Sequence, residues 1–302
     1  MLATEGNLNN DIGVPQMLFR LREQHRYAVI EMGMNHMGEI AYLTQLAKPT
    51  VAVITNAGEA HIEGLGSIEK VARAKGEIFE GLDQQGVAVI NADDTYAPLW
   101  EELAGNRCVV EFGLNKNAQI NAEYQSEGLH SKITAKFPSG CEQIELKVPG
   151  KHNVTNALAA AAVAVALGIN KEIIAAGLEK FTGVNGRLQK KQGKHNALLI
   201  DDSYNANPAS VRAALEVLAE TTGKKYLVLG DMGELGSGGA DFHRMIGQEA
   251  RKAGLDGLFT LGELSAYTAE NFGHGARHFE SMPTLLCEIE KLLAPDVTLL
   301  VK

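Results

Sequence analysis

Four short apolar runs in the 302-residue sequence lead into polar side chains able to do chemistry. Tyr27 to Ile30 leads to Glu31, Val51 to Ile54 to Thr55 and Asn56, Ala197 to Ile200 to Asp201 and Asp202, and Tyr226 to Leu229 to Gly230 and Asp231. If the runs are parallel strands, these residues lie beyond the carboxyl ends of a sheet, where open α/β sheets bind ligands. A carboxylate there can hold Mg²⁺, directly or through water, accept a ribose hydroxyl, or simply be solvated. His61 lies in TNAGEAHIEGLGS, a Gly-rich loop between a strand and a helix that begins near Ser67. Its imidazole suits a metal ligand, a donor to one, or no role at all. Lys75 follows on that helix, with Val71 and Ile78 on the neighbouring apolar face. A helix lysine is ordinarily solvated, and only its surroundings would give this one chemistry.

The segment PGKHNVTNALAA puts His152, Asn153 and Asn156 in the first turn of an Ala-rich helix. Amides at a helix start are commonly caps. Asn153 and Asn156 are also three apart on one face, an arrangement that can read the donor and acceptor edge of a purine. Arg187 comes directly after the cluster Gly183-Val184-Asn185-Gly186, and a guanidinium at such a hinge can reach a nucleotide phosphate. No GxxxxGK[ST] occurs in the chain. The residues above are therefore without a phosphate cradle of that type, and the 302-residue piece is expected to be inactive alone.

The elements that must position these groups alternate β-branched runs with helical patterns. Beyond the four runs named, Val87 to Ile90, Leu258 to Leu261 and Val297 to Val301 read as strands, and the alternation implies parallel sheets covered by helices. Between them, residues 118–148 alternate apolar and polar, with turns at Ser126-Glu127-Gly128 and Pro138-Ser139-Gly140, as in a small antiparallel excursion. The Ala-rich helix and a helix from about Lys171 to Phe181 follow. The domain boundary is expected after Gly183, giving domains 1–183 and 184–302. The first residues read as a loop, the last strand has no helix after it, and both ends look cut from something longer.

Composition narrows the class. With 37 acidic against 28 basic residues and a net charge of -9, the chain has no basic stripe for nucleic acid or for a membrane surface. The stretch Ala157 to Ile169 is too short to span a bilayer. Three widely separated cysteines and the absence of a signal-peptide pattern point to a reducing cytoplasm.

In order along the chain, GNLNNDIGVP (6–15), EMGMNHMGEI (31–40), TNAGEAHIEGLGS (55–67), AKGEIF (74–79), PGKHNVTNALAA (149–160), NGRLQ (185–189), DDSYNANPAS (201–210) and LGDMGELG (229–236) resemble the Mur ligases. The resemblance implies an α/β chain made of two domains. A partial central ATPase domain, N-terminally truncated, has a parallel sheet with helices and the antiparallel excursion. A Rossmann-like C-terminal domain, itself C-terminally truncated, follows it. GNLNNDIGVP, DDSYNANP and GDMGELG look like the member that joins D-alanyl-D-alanine to a UDP-N-acetylmuramoyl-tripeptide through an acyl phosphate, in peptidoglycan precursor synthesis. The same resemblance implies ATP and Mg²⁺ as cofactors and, as the expected state, a monomer.

By position, Glu31 and His61 match the family's Mg²⁺ ligands, and Lys75 matches its carbamylated lysine. His152, Asn153 and Asn156 match the adenine-reading segment, Arg187 the arginine near the γ-phosphate, and Asp202 the ribose contact. Thr4, Asn7, Asn9 and Asn10 would face the muramoyl substrate, while Asn205, Asn207, Asp231 and Glu234 would line the dipeptide side. A folylpolyglutamate synthase of the same superfamily, or a noncatalytic paralogue without a P-loop, are the rival readings.

Overall fold

The computed structural model describes residues 1–58, 62–114 and 117–302. Two compact units interleave along the chain. The first is Met1–Glu123, Ala135–Glu142 and Thr155–Ile174; the second is Tyr124–Thr134, Gln143–Val154 and Ala175–Lys302. A cut at 183/184 is a single point in the sequence, whereas the units exchange segments through the antiparallel excursion. Leu129, at a turn of that excursion, packs against the second unit's core.

At the N-terminus β1 (Leu2–Ala3) and β2 (Ala28–Val29) form a two-stranded parallel sheet. The expected loop start is therefore corrected to a strand, and the strand expected over 27–30 shrinks to two residues. β1 is so short that no alternation of side chains could announce it. A second sheet has the order of its sequence: β3 (Val51–Ile54), β4 (Val87–Asn91), β5 (Cys108–Gly113), β6 (Ile120–Glu127), β7 (His130–Phe137) and β8 (Gly140–Leu146). The pairs from β3 to β6 are parallel. Two-residue turns then join β6 to β7 and β7 to β8, which only antiparallel neighbours can use.

Helices α1 (Gly13–Phe19), α2 (Glu39–Ala47), α3 (Ile62–Leu65), α4 (Ile68–Gly76) and α5 (Ala97–Ala104) belong to the first unit. Ser67 starts α4 by accepting the Lys70 N–H on its hydroxyl. Trp100 of α5 is fully buried and donates its indole N–H to the Ala72 carbonyl at 2.9 Å. With Ile54, Phe79 and Ile90 it forms the core that fixes α4 against the sheet.

The Ala-rich α6 (Lys151–Ala166) and α7 (Lys171–Glu179) precede a third sheet. Its strands are β9 (Gln189–Gln192), β10 (Leu198–Asp201), β11 (Lys224–Leu229), β12 (Gly257–Leu261), β13 (Ala276–Phe279) and β14 (Val297–Val301), in the order β13-β12-β11-β14-β10-β9. All pairs are parallel except the edge strand β9. Helices α8 (Pro208–Ala219), α9 (Gly239–Lys252), α10 (Ser265–Phe272) and α11 (Met282–Glu290) connect them. Strand order reverses where β14 lies between β10 and β11, the place at which such sheets leave a crevice at their carboxyl ends.

Candidate active site

In the first unit the carboxyl ends of β2, β3 and β4 carry two groups of polar contacts. Thr4 follows β1, and its hydroxyl accepts the Glu31 N–H at 2.8 Å. The Asn9 side-chain amide donates to Glu31 Oε1 at 2.9 Å, while the Asn9 backbone carbonyl accepts the Gly33 N–H at 2.7 Å. Thr4, Asn9 and Glu31 thus come together, with the Glu31 carboxylate exposed. Asn7 stays exposed and accepts the Asn9 N–H on its backbone oxygen; Asn10 accepts the Ile12 and Gly13 N–H groups on Oδ1, which starts α1.

Lys75, in the last turn of α4, donates from Nζ to the Asn56 carbonyl at 2.7 Å. Burial holds its amine below the usual lysine range, and the Asp94 carboxylate opposes that shift. Asp94 also accepts the Ala57 N–H at 2.9 Å, and the Asn91 amide donates to the Thr55 carbonyl at 2.7 Å. The end of β4 therefore braces the backbone that leaves β3, and that backbone in turn holds the lysine. Sequence reasoning missed Asp94 and Asn91; their signal was a polar Asn-Ala-Asp-Asp run directly after an apolar strand. His61 lies outside the described residues. Among the described residues, no three His, Cys, Asp or Glu side chains gather where they could hold a metal ion.

In the second unit the turn Val184 to Leu188 meets the loop after β10. The Arg187 guanidinium stacks on the Tyr204 ring, 4.3 Å from its centroid. Asp202 is buried: Oδ1 accepts the Leu188 N–H at 3.0 Å, and Oδ2 pairs with Lys302. Lys302 Nζ also donates to the Asn205 carbonyl at 3.1 Å. Burial lowers the Lys302 amine's pKa against the attraction of Asp202, and the Arg187 charge adds to the depression. His152 feels the same group. Burial lowers its pKa, the Asp202 charge opposes this, and Lys302 reinforces it. His152, Arg187 and Asp202 are thus neighbours, together with Tyr204 and Lys302, neither of which sequence reasoning named.

The matching family models decide what this arrangement belongs to. The Mur ligase middle domain matches residues 1–164, and the Mur ligase glutamate ligase domain matches residues 186–302. This chain belongs to the Mur ligase family. It is 42% identical over 308 residues to the UDP-N-acetylmuramoyl-tripeptide--D-alanyl-D-alanine ligase of Escherichia coli (strain K12), covering 100% of this chain and 67% of that protein. Among solved structures, MurF from Acinetobacter baumannii superposes with a TM-score of 0.91 at 37% identity, over 99% of this chain and 66% of that one. MurF ligase from Thermotoga maritima, solved in complex with ADP, superposes with a TM-score of 0.87 at 26% identity, over 99% of this chain and 69% of that one. The chain spans about two thirds of the length of these relatives.

The remaining Mur-type positions fall as follows. Asn153 is half-buried and donates its amide to the Pro149 carbonyl at 2.7 Å; Asn156 is exposed. Asn205 accepts the Ala206 N–H on its side chain, and Asn207 caps α8 in a reciprocal pair with Ser210. Asp231 is exposed after β11 and accepts the Ser265 N–H at 2.7 Å, and Glu234 is exposed with a left-handed φ of 58°. Asn205, Asp231 and Lys302 share a cavity of about 370 Å³ at the carboxyl ends of β10, β11 and β14. No helix among the described residues is long and apolar enough to cross a membrane.

Proposed function

We propose that this chain supplies the nucleotide-handling and amine-handling parts of a cytoplasmic ligase that joins D-alanyl-D-alanine to a UDP-N-acetylmuramoyl-tripeptide while ATP becomes ADP and phosphate. The observation that carries the reading is the match to such a ligase along the whole chain, at 42% identity. The chemistry is carboxylate activation: the γ-phosphoryl passes to the peptide carboxylate, the dipeptide amine attacks the acyl phosphate, and phosphate leaves.

Little covalent work falls to the protein in such a transfer, so its side chains position groups and offset charge. Mg²⁺, when bound, neutralises charge on the phosphate oxygens, and a hard cation of this kind takes oxygen donors. The exposed Glu31 carboxylate, oriented by Asn9, fits that donor set, with His61 as a further ligand in this reading. Lys75 fits it once its amine has added CO₂: the nitrogen lone pair forms the N–C bond, a proton departs, and an anionic oxygen donor replaces a cation. Its depressed pKa supports this, because only the neutral amine adds CO₂. Arg187 offsets charge that develops on the transferred phosphoryl group. Asn153, with one amide N–H engaged by Pro149, keeps its Oδ1 for the amino edge of adenine, and Asn156 adds a second amide. Asn205 and Asp231, which line the same cavity, fit the side from which the dipeptide enters.

The test is ATP-dependent phosphate release in a ligase of full family length that carries this chain. The UDP-linked tripeptide is held constant, and the amine is varied among D-alanyl-D-alanine, D-alanine and L-glutamate. The reading expects release with the dipeptide alone. A separate arm replaces the tripeptide by a folate with L-glutamate as the amine, and equal or greater release there would assign the chain to the folylpolyglutamate branch instead.

A further inference from the structure

The backbone on both sides of Arg187 is left-handed, which Gly186 adopts freely and Leu188 disfavours. Gly186 on one side has φ +72°, and Leu188 on the other has φ 48°, left-handed for a buried, branched residue. Such geometry persists only where the surroundings over-determine it. Here they do so from several directions. The Tyr204 N–H donates to the Gly186 carbonyl at 3.0 Å, and a Cβ on Gly186 would stand 3.2 Å from the Tyr204 nitrogen. The Arg187 N–H closes on the Val184 carbonyl at 3.1 Å. The Leu188 N–H is taken by Asp202, whose other oxygen is anchored by the buried Lys302 at the end of β14. Above this turn the Arg187 guanidinium lies on the Tyr204 ring, while both side chains stay open to solvent on their outer sides.

We infer that Tyr204 is a positioning residue for Arg187, and that Asp202 with Lys302 clamps the turn that carries it, so that Asp202 acts through the arginine rather than as a free carboxylate. The inference rests on the reading that Arg187 serves phosphoryl transfer. An exposed arginine loses rotamer entropy when it is fixed. An aromatic platform that is itself tied to the turn by a backbone hydrogen bond offsets part of that loss before the nucleotide arrives. Pre-alignment of this kind affects the chemical step more than ground-state binding.

A double-substitution cycle in a ligase of full family length separates the possibilities. Arg187→Ala should lower kcat by about a hundredfold, and Tyr204→Ala by about tenfold with the KM for ATP changed less than threefold. Tyr204→Phe, which keeps the ring, should recover kcat to within about threefold of the parent. The combined Arg187→Ala, Tyr204→Ala protein should be no slower than Arg187→Ala alone, because the ring acts only through the guanidinium. Tyr204 is half exposed, so its truncation leaves the core intact. As a readout independent of turnover, the Arg187 side-chain Nε–Hε signal in this chain should be ordered with Tyr204 and become mobile in Tyr204→Ala. If Arg187→Ala is impaired but the two effects multiply, or if the signal is equally mobile with and without the ring, the positioning role is overturned. If Arg187→Ala turns over like the parent, the phosphoryl-transfer reading falls and takes the positioning role with it.

Discussion

Lys302→Met probes the clamp in the second unit most directly. The Lys302 side chain is 2% exposed and that of Asp202 12%, so the pair is desolvated on both sides. Removing the ammonium leaves the Asp202 carboxylate buried with one neutral donor, the Leu188 N–H. Breaking a buried pair from one side costs about 3–5 kcal/mol, most of it the penalty of the abandoned charge rather than the worth of the pair. Against a urea dependence of about 2 kcal/mol per M, that lowers the midpoint by roughly 2 M. Adding Asp202→Asn to Lys302→Met removes the orphaned charge and should recover more than half of the loss, since a neutral amide still accepts from Leu188. The assay is urea unfolding followed by circular dichroism, with hydrogen exchange on peptides containing β10 and β14 to localise the change. A Lys302→Met stability within about 0.5 kcal/mol of the parent would overturn this, as would a double variant less stable than the single one.

Other expectations come from separate parts of the molecule. His243 is fully buried, accepts the Met232 N–H on Nε2 at 3.1 Å and contacts the Thr268 hydroxyl through Nδ1, so it is neutral with Nδ1 protonated. Burial depresses its pKa, against the Asp231 charge. Its contribution to stability should be complete above an ordinary imidazole value of about 6.5 and decline as pH falls toward the depressed one, because the unfolded chain takes up the proton first; His243→Gln should flatten the pH dependence of the urea midpoint between pH 7 and about 5. A Cβ on Gly81 would overlap the Thr44 backbone, which cannot yield, whereas one on Gly76 would meet the flexible end of Leu103. Gly81→Ala should therefore lose about 3 kcal/mol or more and Gly76→Ala about 1 kcal/mol, as read from Trp100 fluorescence during unfolding. Asp94 props up the Lys75 pKa, so Asp94→Asn should lower it further and speed cyanate labelling of Lys75 at pH 8, measured by peptide mass mapping.

What the residues announced in advance follows a physical pattern. Strands with buried interiors, such as β4 with Val-Ala-Val-Ile and β11 with Tyr-Leu-Val-Leu, carry continuous apolar runs and were legible. The edge strand β9 reads Gln-Lys-Lys-Gln and β13 reads Ala-Arg-His-Phe, and neither carries an apolar alternation, because sheet edges are commonly charged. The polar rim of each parallel sheet was legible too, since it falls wherever an apolar run stops. The partners within that rim were not. Asp94 meets Lys75 because β3 and β4 pair with Ile54 opposite Ile90, and Lys302 meets Asp202 because β10 and β14 pair with Asp201 opposite Val301. Register of this kind depends on the whole sheet and leaves no local mark in the chain. Asn10 and Asn207, matched to substrate positions, also show how a polar motif can serve a helix start, since both give their side-chain oxygen to backbone N–H groups.

In the proposed reaction a carboxylate is activated by phosphorylation, and the path of oxygen tests this without reference to rate. UDP-N-acetylmuramoyl-tripeptide labelled with ¹⁸O in its terminal carboxylate is turned over with ATP and D-alanyl-D-alanine by a ligase of full family length bearing this chain. The released phosphate is then analysed by mass or by the ³¹P isotope shift. An acyl phosphate requires one labelled oxygen to move from the peptide into inorganic phosphate at each turnover. Phosphate released without label, while the amide product still forms, would contradict the account.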